Sequence, residues 1–357
     1  MHRSICRSSF LVPILALSAG GLLLSTVAAA DSIEVTERLL TLVGASDLNP
    51  AMSGDITVFT SNRLDSSDIL MIDEFQEVLP VHVGPGEQRA SDIDGMTVVY
   101  VDTTAGDTNI AMTDLSTGTQ QLITFSGAQD TAPAISGSNV VFISSRLGGE
   151  DILRIDLVSL DIELVATGPG AEIKPTIDGN LIAWQVFENG SINVYGQEIG
   201  DTTFPIATGT GDESDASVSG HLVAYIVDGD VAVYDHSTGQ TTQITNDAFV
   251  QSKVVIDGQR LVWVDDRNGN DDIFLHDLVS GETFQLTTDP SDQYLGDFEG
   301  NRVVFFDLRL GNSNVWQVEF TIIPDVPTLS FLGMALLAGL LVGVGAWLLR
   351  RQRVLSS

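Results

Sequence analysis

Cysteine is almost missing from this sequence of 357 residues: Cys6 is the only one, and it stands ahead of an N-terminal apolar stretch. Removal of that stretch leaves no thiol, which excludes disulfides, thiol catalysis and cysteine-ligated metal from the mature chain. Histidine is also scarce. His82, His221, His236 and His276 follow the leader in no paired motif, which argues against zinc chemistry. Basic residues are few and oddly placed: between residues 31 and 349, 48 acidic residues face 11 Lys and Arg, a net charge of −37. Such a body repels phosphate backbones, so nucleic acid is not expected as a partner. Helical periodicity is absent between residues 35 and 320, which excludes solenoids of helix pairs. There is no G-x-S-x-G elbow, Walker loop or dinucleotide fingerprint. With 43% hydrophobic and 18% charged residues, the chain is too apolar to be disordered and too long for one core.

The two ends carry the five remaining arginines. Residues 1–30 combine Arg3 and Arg7, an apolar stretch from Phe10 to Leu24, and Ala28-Ala29-Ala30 before Asp31, the layout of a signal peptide cut after Ala30. An uncleaved membrane anchor is the alternative. Residues 331–349 hold no charge and as a helix would span roughly 28 Å, enough to cross a bilayer. Arg350, Arg351 and Arg353 follow, so the positive-inside rule puts the tail 350–357 in the cytoplasm and the acidic body outside.

Ahead of the span stands Val326-Pro327-Thr328-Leu329-Ser330, with Gly333 just inside it. Motif, apolar span and arginine cluster in this order resemble the IPTL-type C-terminal sorting signals, relatives of the PEP-type signals. Val326 departs from the usual isoleucine, and Phe331-Leu332 stands where a Glu-Trp pair is common. The resemblance implies a membrane-bound sorting protease of the exosortase type as a partner, and residues 324–330 as linker and motif. The protein is then expected in the cell envelope, anchored or released to the surface.

The middle is one unit repeated. Glycines recur at Gly54, Gly95, Gly137, Gly179, Gly220, Gly258 and Gly300, spaced by 41, 42, 42, 41, 38 and 42 residues. Five residues after each stands an aromatic: Phe59, Tyr100, Phe142, Trp184, Tyr225, Trp263 and Phe305. At 7% aromatic content, seven chance hits have a probability on the order of 10⁻⁸. Each unit reads as four strands. A Ser, Asp or Glu before the glycine marks a tight turn, and β-branched runs such as Val140-Val141-Phe142 follow it as buried strands. Thr124, Thr245 and Thr287 end fourth strands 13 residues before the next glycine, and Thr41 has the same offset from Gly54. Arg38 to Leu42 therefore reads as a fourth strand without its own first three, while the last unit ends near Phe320 without a fourth. The expected fold is all-β, a seven-bladed β-propeller over 31–323 closed by the N-terminal strand, with one C-terminal transmembrane helix. Six blades is the alternative, if the stretch Phe75 to Gln88 is irregular.

Asp130-Thr131-Ala132-Pro133-Ala134-Ile135-Ser136-Gly137, the segment Ser144 to Ile152, and Asp266 to Ile273 resemble the repeat of TolB-like propellers. The resemblance covers nearly all of 35–320 and implies the fold. The chain departs from it in lacking a Pro-Asp before the turn glycine and a separate N-terminal domain.

Three recurrent positions could carry chemistry. Arg63, Arg146, Arg267 and Arg309 lie nine residues after the marker glycine, and Asp68, Asp151 and Asp272 five further on; hairpin ion pairs between them are expected. Asp114, Asp156, Asp235 and Asp277 read as turn formers. Seven residues before each glycine stand Asp47, Gln88, Asp130, Glu172, Glu213, Gln251 and Gln293, all acids or amides. They are the candidate ligand ring at a channel mouth, for a cation or a basic peptide, with hydrogen bonding to loop amides as the plainer role. No catalytic or metal residue is expected and no cofactor, Ca2+ at the ring being the one exception. The function read from these features is a non-catalytic binding or scaffold module for an exported protein, peptide or glycan. A propeller hydrolase or lyase acting on extracellular polysaccharide or peptide is the first alternative, and a purely structural surface component the second.

Overall fold

The computed structural model describes residues 3–5, 31–41, 44–64, 66–125, 127–188 and 190–324. Most of the leader, the sorting motif at 326–330 with Gly333, the span 331–349 and the tail lie outside the described residues. Among the described residues no helix is long and apolar enough to cross a membrane. Contacts divide the chain into two units, Met1–Ser4 with Val35–Thr321, which is the propeller, and Ile5–Glu34 with Ile322–Ser357.

The marker glycines start the structure. Each adopts a left-handed φ, from 56° at Gly54 to 63° at Gly300, at the first position of a two-residue turn that joins two antiparallel strands. The turn repeats in seven sheets of antiparallel strands, and the expected all-β, seven-bladed propeller is what forms. The first blade is regular, with Val78–His82 as its fourth strand, so the six-bladed alternative falls. Each inner strand touches the inner strands of both neighbouring blades, and that of the seventh blade touches that of the first, which closes the ring.

The ring closes where the numbering placed it. In the seventh sheet Ser32–Leu39 lies beside Asn314–Ile323, with the three-residue strand Arg3–Ile5 outside it. Leu40 N donates to Val315 O (2.9 Å), Val315 N to Thr41 Oγ1 (3.0 Å), and Arg38 Nε to Gln317 Oε1 (3.1 Å). The closing strand begins at Ser32, six residues before the start expected from the repeat.

Blades are held by layers between them. The seven repeat aromatics are all buried in the second strands. Phe142 packs with Val99, Ile110 and Ile135 of the second and third blades, Trp184 with Val141 and Ile152 across the next junction, and Trp263 with Ala224 and Val233 across a later one. Each sheet has an apolar face that only its neighbour covers, so no blade is stable alone.

Candidate functional site

Inner strands surround an axial cavity of about 950 Å³. Every inner strand carries one extra residue relative to its partner, a β-bulge, for instance between Leu48 and Ala51 and between Ile173 and Thr176. In six blades a non-glycine residue five places before the turn glycine takes the left-handed conformation there: Asn49, Ala90, Ala132, Lys174, Asp215 and Lys253, with φ between 42° and 51°. Such a conformation costs about 1–2 kcal/mol for an L-residue, so the packed ring must hold it in place. Pro50, Pro133 and Pro175 follow three of these residues, at a bulge of a sheet's edge strand, where a missing N–H is tolerated.

The bulges turn particular side chains into the cavity. Lys174 and Lys253 are the only lysines of the whole chain, and both occupy this position. Lys174 Nζ bonds Asp215 Oδ1 at 2.6 Å across the blade junction. Tyr294 and Phe306, paired across the first hairpin of the seventh blade, stack at 4.8 Å with an interplanar angle of 13°, and Tyr294 is 39% exposed. The wall holds eight carboxyl groups against the two lysines.

Two sets of wall residues also hold the blades together. Residues one place before the turn glycine bond the glycine amide of the next blade: Gly95 N donates to Ser53 Oγ (3.0 Å), Gly137 N to Asp94 Oδ2 (2.6 Å), Gly179 N to Ser136 Oγ (2.9 Å) and Gly220 N to Asp178 Oδ2 (2.7 Å). Gly258 and Gly300 donate in the same way to Ser219 and Asp257, and Gly54 closes the circle on Glu299 (2.7 Å). These Ser, Asp and Glu residues are visible in the sequence as turn formers; that each reaches a neighbouring blade follows only from the ring. Two places further back, Asp92 accepts from Ile135 N and Asp297 from Met52 N, each at 2.9 Å. Burial, reinforced by the Asp297 charge, pushes the Asp92 carboxyl up to about 7, and burial raises Asp297 as well.

The ring of acids and amides seven places before each glycine sits elsewhere. All seven side chains are buried, and Gln293 alone among them belongs to the cavity wall. Asp47 accepts from Ser61 and Arg63, Asp130 from Ser144 and Arg146 (2.9 Å). Gln251 and Gln293 accept from Thr245 (2.7 Å) and Thr287 (2.9 Å), the threonines two residues past the preceding fourth strands. Gly209 N donates to Glu213 (3.1 Å), and Gln88 Nε2 donates to Pro85 O (3.3 Å). Burial raises the Glu172 carboxyl, with Asp151 and Glu188 adding to it, and burial likewise raises Glu213.

The expected hairpin pairing of the arginines is corrected. Arg63 and Arg146 pair with Asp47 and Asp130 of the inner strand, while Arg267 and Arg309 pair with Asp265 and Asp307 of the second strand. None of the four pairs with Asp68, Asp151 or Asp272, because the carboxylates of the first or second strand lie nearer the guanidinium and take its hydrogen bonds. The turn-forming aspartates are as expected: Asp114 accepts from Ser116 N (2.8 Å) and Asp277 from Val279 N (2.9 Å). Among the described residues no group of three or more His, Cys, Asp or Glu is arranged to hold a metal ion.

No family model and no curated protein matches this chain. Solved structures do. The oligogalacturonate lyase of Vibrio parahaemolyticus is 12% identical with a TM-score of 0.62, over 82% of this chain and 95% of that one. The β-propeller domain of the Trilobed protease from Pyrococcus furiosus, described as having an open velcro topology, is 12% identical with a TM-score of 0.61, over 80% and 97%. A puromycin hydrolase is 12% identical with a TM-score of 0.60, over 75% of this chain and 51% of its own, so this chain spans about half its length. At such identity the likeness shows the propeller fold.

These neighbours are enzymes or part of one, and they overturn the expectation of a non-catalytic binding or scaffold module. That expectation rested on missing motifs and on a uniform polar ring. A short motif records a nucleophile elbow or a phosphate loop, whereas groups brought together from separate blades leave none. The ring, for its part, is engaged inside the blades.

Proposed function

We propose that the chain is an exported propeller enzyme that cleaves glycosidic bonds in an extracellular polysaccharide, with the axial cavity as its substrate site. The observation that carries this reading is the Tyr294–Phe306 stack, partly open to a cavity whose wall also holds a carboxyl that keeps its proton to about pH 7. An exposed aromatic face suits the apolar face of a sugar ring, and a carboxyl protonated near neutrality is what a departing glycosidic oxygen needs. Asp92 is the acid in this reading and Asp297, whose charge helps to raise it, its partner. The lyase neighbour supports it because its chain is almost entirely matched by this one propeller, without a further domain.

The substrate differs from galacturonate on electrostatic grounds. Eight carboxyl groups against two lysines disfavour an anionic polymer, so neutral or amino sugars are the substrates expected. The reading places the enzyme in the TolB-like branch of propellers, outside the cytoplasm, and takes residues 331–349 as an anchor that an exosortase-type protease removes at Val326 to Ser330.

The test is a panel of neutral, amino-sugar and uronate polysaccharides incubated with the purified chain. New reducing ends, without the ultraviolet absorbance of an unsaturated product, are expected on a neutral or amino-sugar polymer, falling at least about 100-fold in Asp92→Asn. Unsaturated product would identify a lyase instead. No cleavage of any polymer, or full activity in Asp92→Asn, overturns the assignment.

A further inference from the structure

At the level where each inner strand begins, every blade puts three residues in register, as in Asp130, Ser144 and Asp151 of the third blade or Gln251, Asp265 and Asp272 of the sixth. The backbone joins neighbouring blades at the same level. The amide of the first inner-strand residue donates to the carbonyl just before the residue that stands third in the preceding register: Asp47 to Ser313 (2.9 Å), Gln88 to Ser67 (2.7 Å), Asp130 to Thr108 (3.0 Å), Glu172 to Glu150 (2.9 Å), Gln251 to Gly229 (2.7 Å) and Gln293 to Asp271 (2.8 Å). At these six junctions the third residue of one register is thereby brought to the first of the next, and at the seventh Asn193 and Glu213 hold the corresponding positions.

Compared junction by junction, these pairs follow a rule. Asp68 comes to Gln88, Asn109 to Asp130, Asn193 to Glu213, Asp230 to Gln251, Asp272 to Gln293 and Asn314 to Asp47, one carboxyl and one carboxamide each time. The junction of the third and fourth blades breaks the rule with Asp151 and Glu172. Asp151 is 2% and Glu172 4% exposed, and each keeps a buried oxygen without a hydrogen-bond partner, Asp151 Oδ2 and Glu172 Oε2. The surrounding charge does not relieve them. Where four blades carry the arginine nine places after the turn glycine, the fourth carries Glu188, and Arg146 of the third is engaged with Asp130. Burying two carboxylates side by side without positive charge is costly enough that something cationic must enter or a proton must stay.

We propose that the junction of the third and fourth blades, where acid meets acid, binds a divalent cation of the Ca2+ type between Asp151 and Glu172. The side chains alone do not form a closed three-carboxylate group, so carbonyl oxygens and water complete the shell, as Ca2+ with its six to eight oxygen ligands accepts. Gly168 lets the preceding loop lie against Glu172: a Cβ there would come within 2.7 Å of Glu172 Oε1. This site is separate from the axial cavity and does not depend on the catalytic reading.

Asp151→Asn is the decisive variant, because it gives this junction the one acid and one amide found at the other junctions. With the full chain in detergent, stripped with chelator, CaCl2 titrated calorimetrically should give a saturable one-site heat and a rise in melting temperature. Both should be lost in Asp151→Asn, which in chelator should melt no lower than the wild type. Glu172→Gln provides the same comparison if the first variant folds poorly. Unchanged melting and no heat in the wild type, or full heat in both variants, overturns the site. A wild type stabilised by acidification but indifferent to Ca2+ overturns it too, and would mean that the pair shares a proton.

Discussion

Asp92 shows how a residue can serve the ring and still retain its own chemistry. Its two oxygens accept from Ile93 N and Ile135 N, which fixes the carboxyl across the junction of the second and third blades. Half-buried and close to the Asp297 charge, it holds its proton to about 7, whereas the unfolded chain releases it near 3.8. Between those values the folded state binds more protons than the unfolded one, so this group's contribution to stability is complete below about pH 4, declines as pH rises, and is gone above about 7. Asp92→Asn should abolish that decline. The melting-temperature difference between wild type and variant should shift against the wild type from about pH 4 to 7 and then level off; a difference constant across that range would refute the raised value. At this scale the sequence was only partly legible. The acids and amides seven places before each glycine stood out by recurrence, yet their burial could not be read, since it depends on arginines and threonines from other strands. Lys174 and Lys253 were open to view as the only lysines, and shared an offset from the glycine, but a pair among seven repeats makes a weak periodic signal.

At the scale of the element, turn glycines and buried aromatics were legible because they recur in every blade, and a period of about 41 residues has one ready structural meaning. The bulge in each inner strand was not, because one extra residue breaks the alternation by which a strand is recognised. Bulging brings the inner strands of the seventh and first blades especially close. A Cβ at Gly296 would overlap the carbonyl oxygen of Pro50. Ala216 holds the same offset in the fifth blade, so strand geometry itself admits a side chain there. Gly296→Ala should then lower stability by about 1–3 kcal/mol in urea unfolding, through strain at ring closure. A loss of a few tenths would mean that the two blades can move apart freely.

For the whole molecule, the offset of Thr41 from Gly54 was enough to predict closure, since a fourth strand with no partners in sequence needs a blade lacking one. The Glu37–Arg309 ion pair, added to the bonds from Leu40 and Thr41, fastens the closing strand. Deletion of residues 31–41 should uncover the edge of Asn314–Ile323, lower the melting temperature and produce self-association visible in light scattering. A monomer that melts like the intact chain would show that the ring is held by its inner strands alone.

Arg38 and its partner Gln317 are 279 residues apart. For a ribosome adding about 5–20 residues each second, the first strand of the propeller to be made waits on the order of 15–55 s for the strand it must join. Six blades can assemble in the order of their synthesis while this early segment stays unpaired. A newborn chain thus carries a bare edge for nearly the whole of its production, and a chaperone would have most to protect at that end.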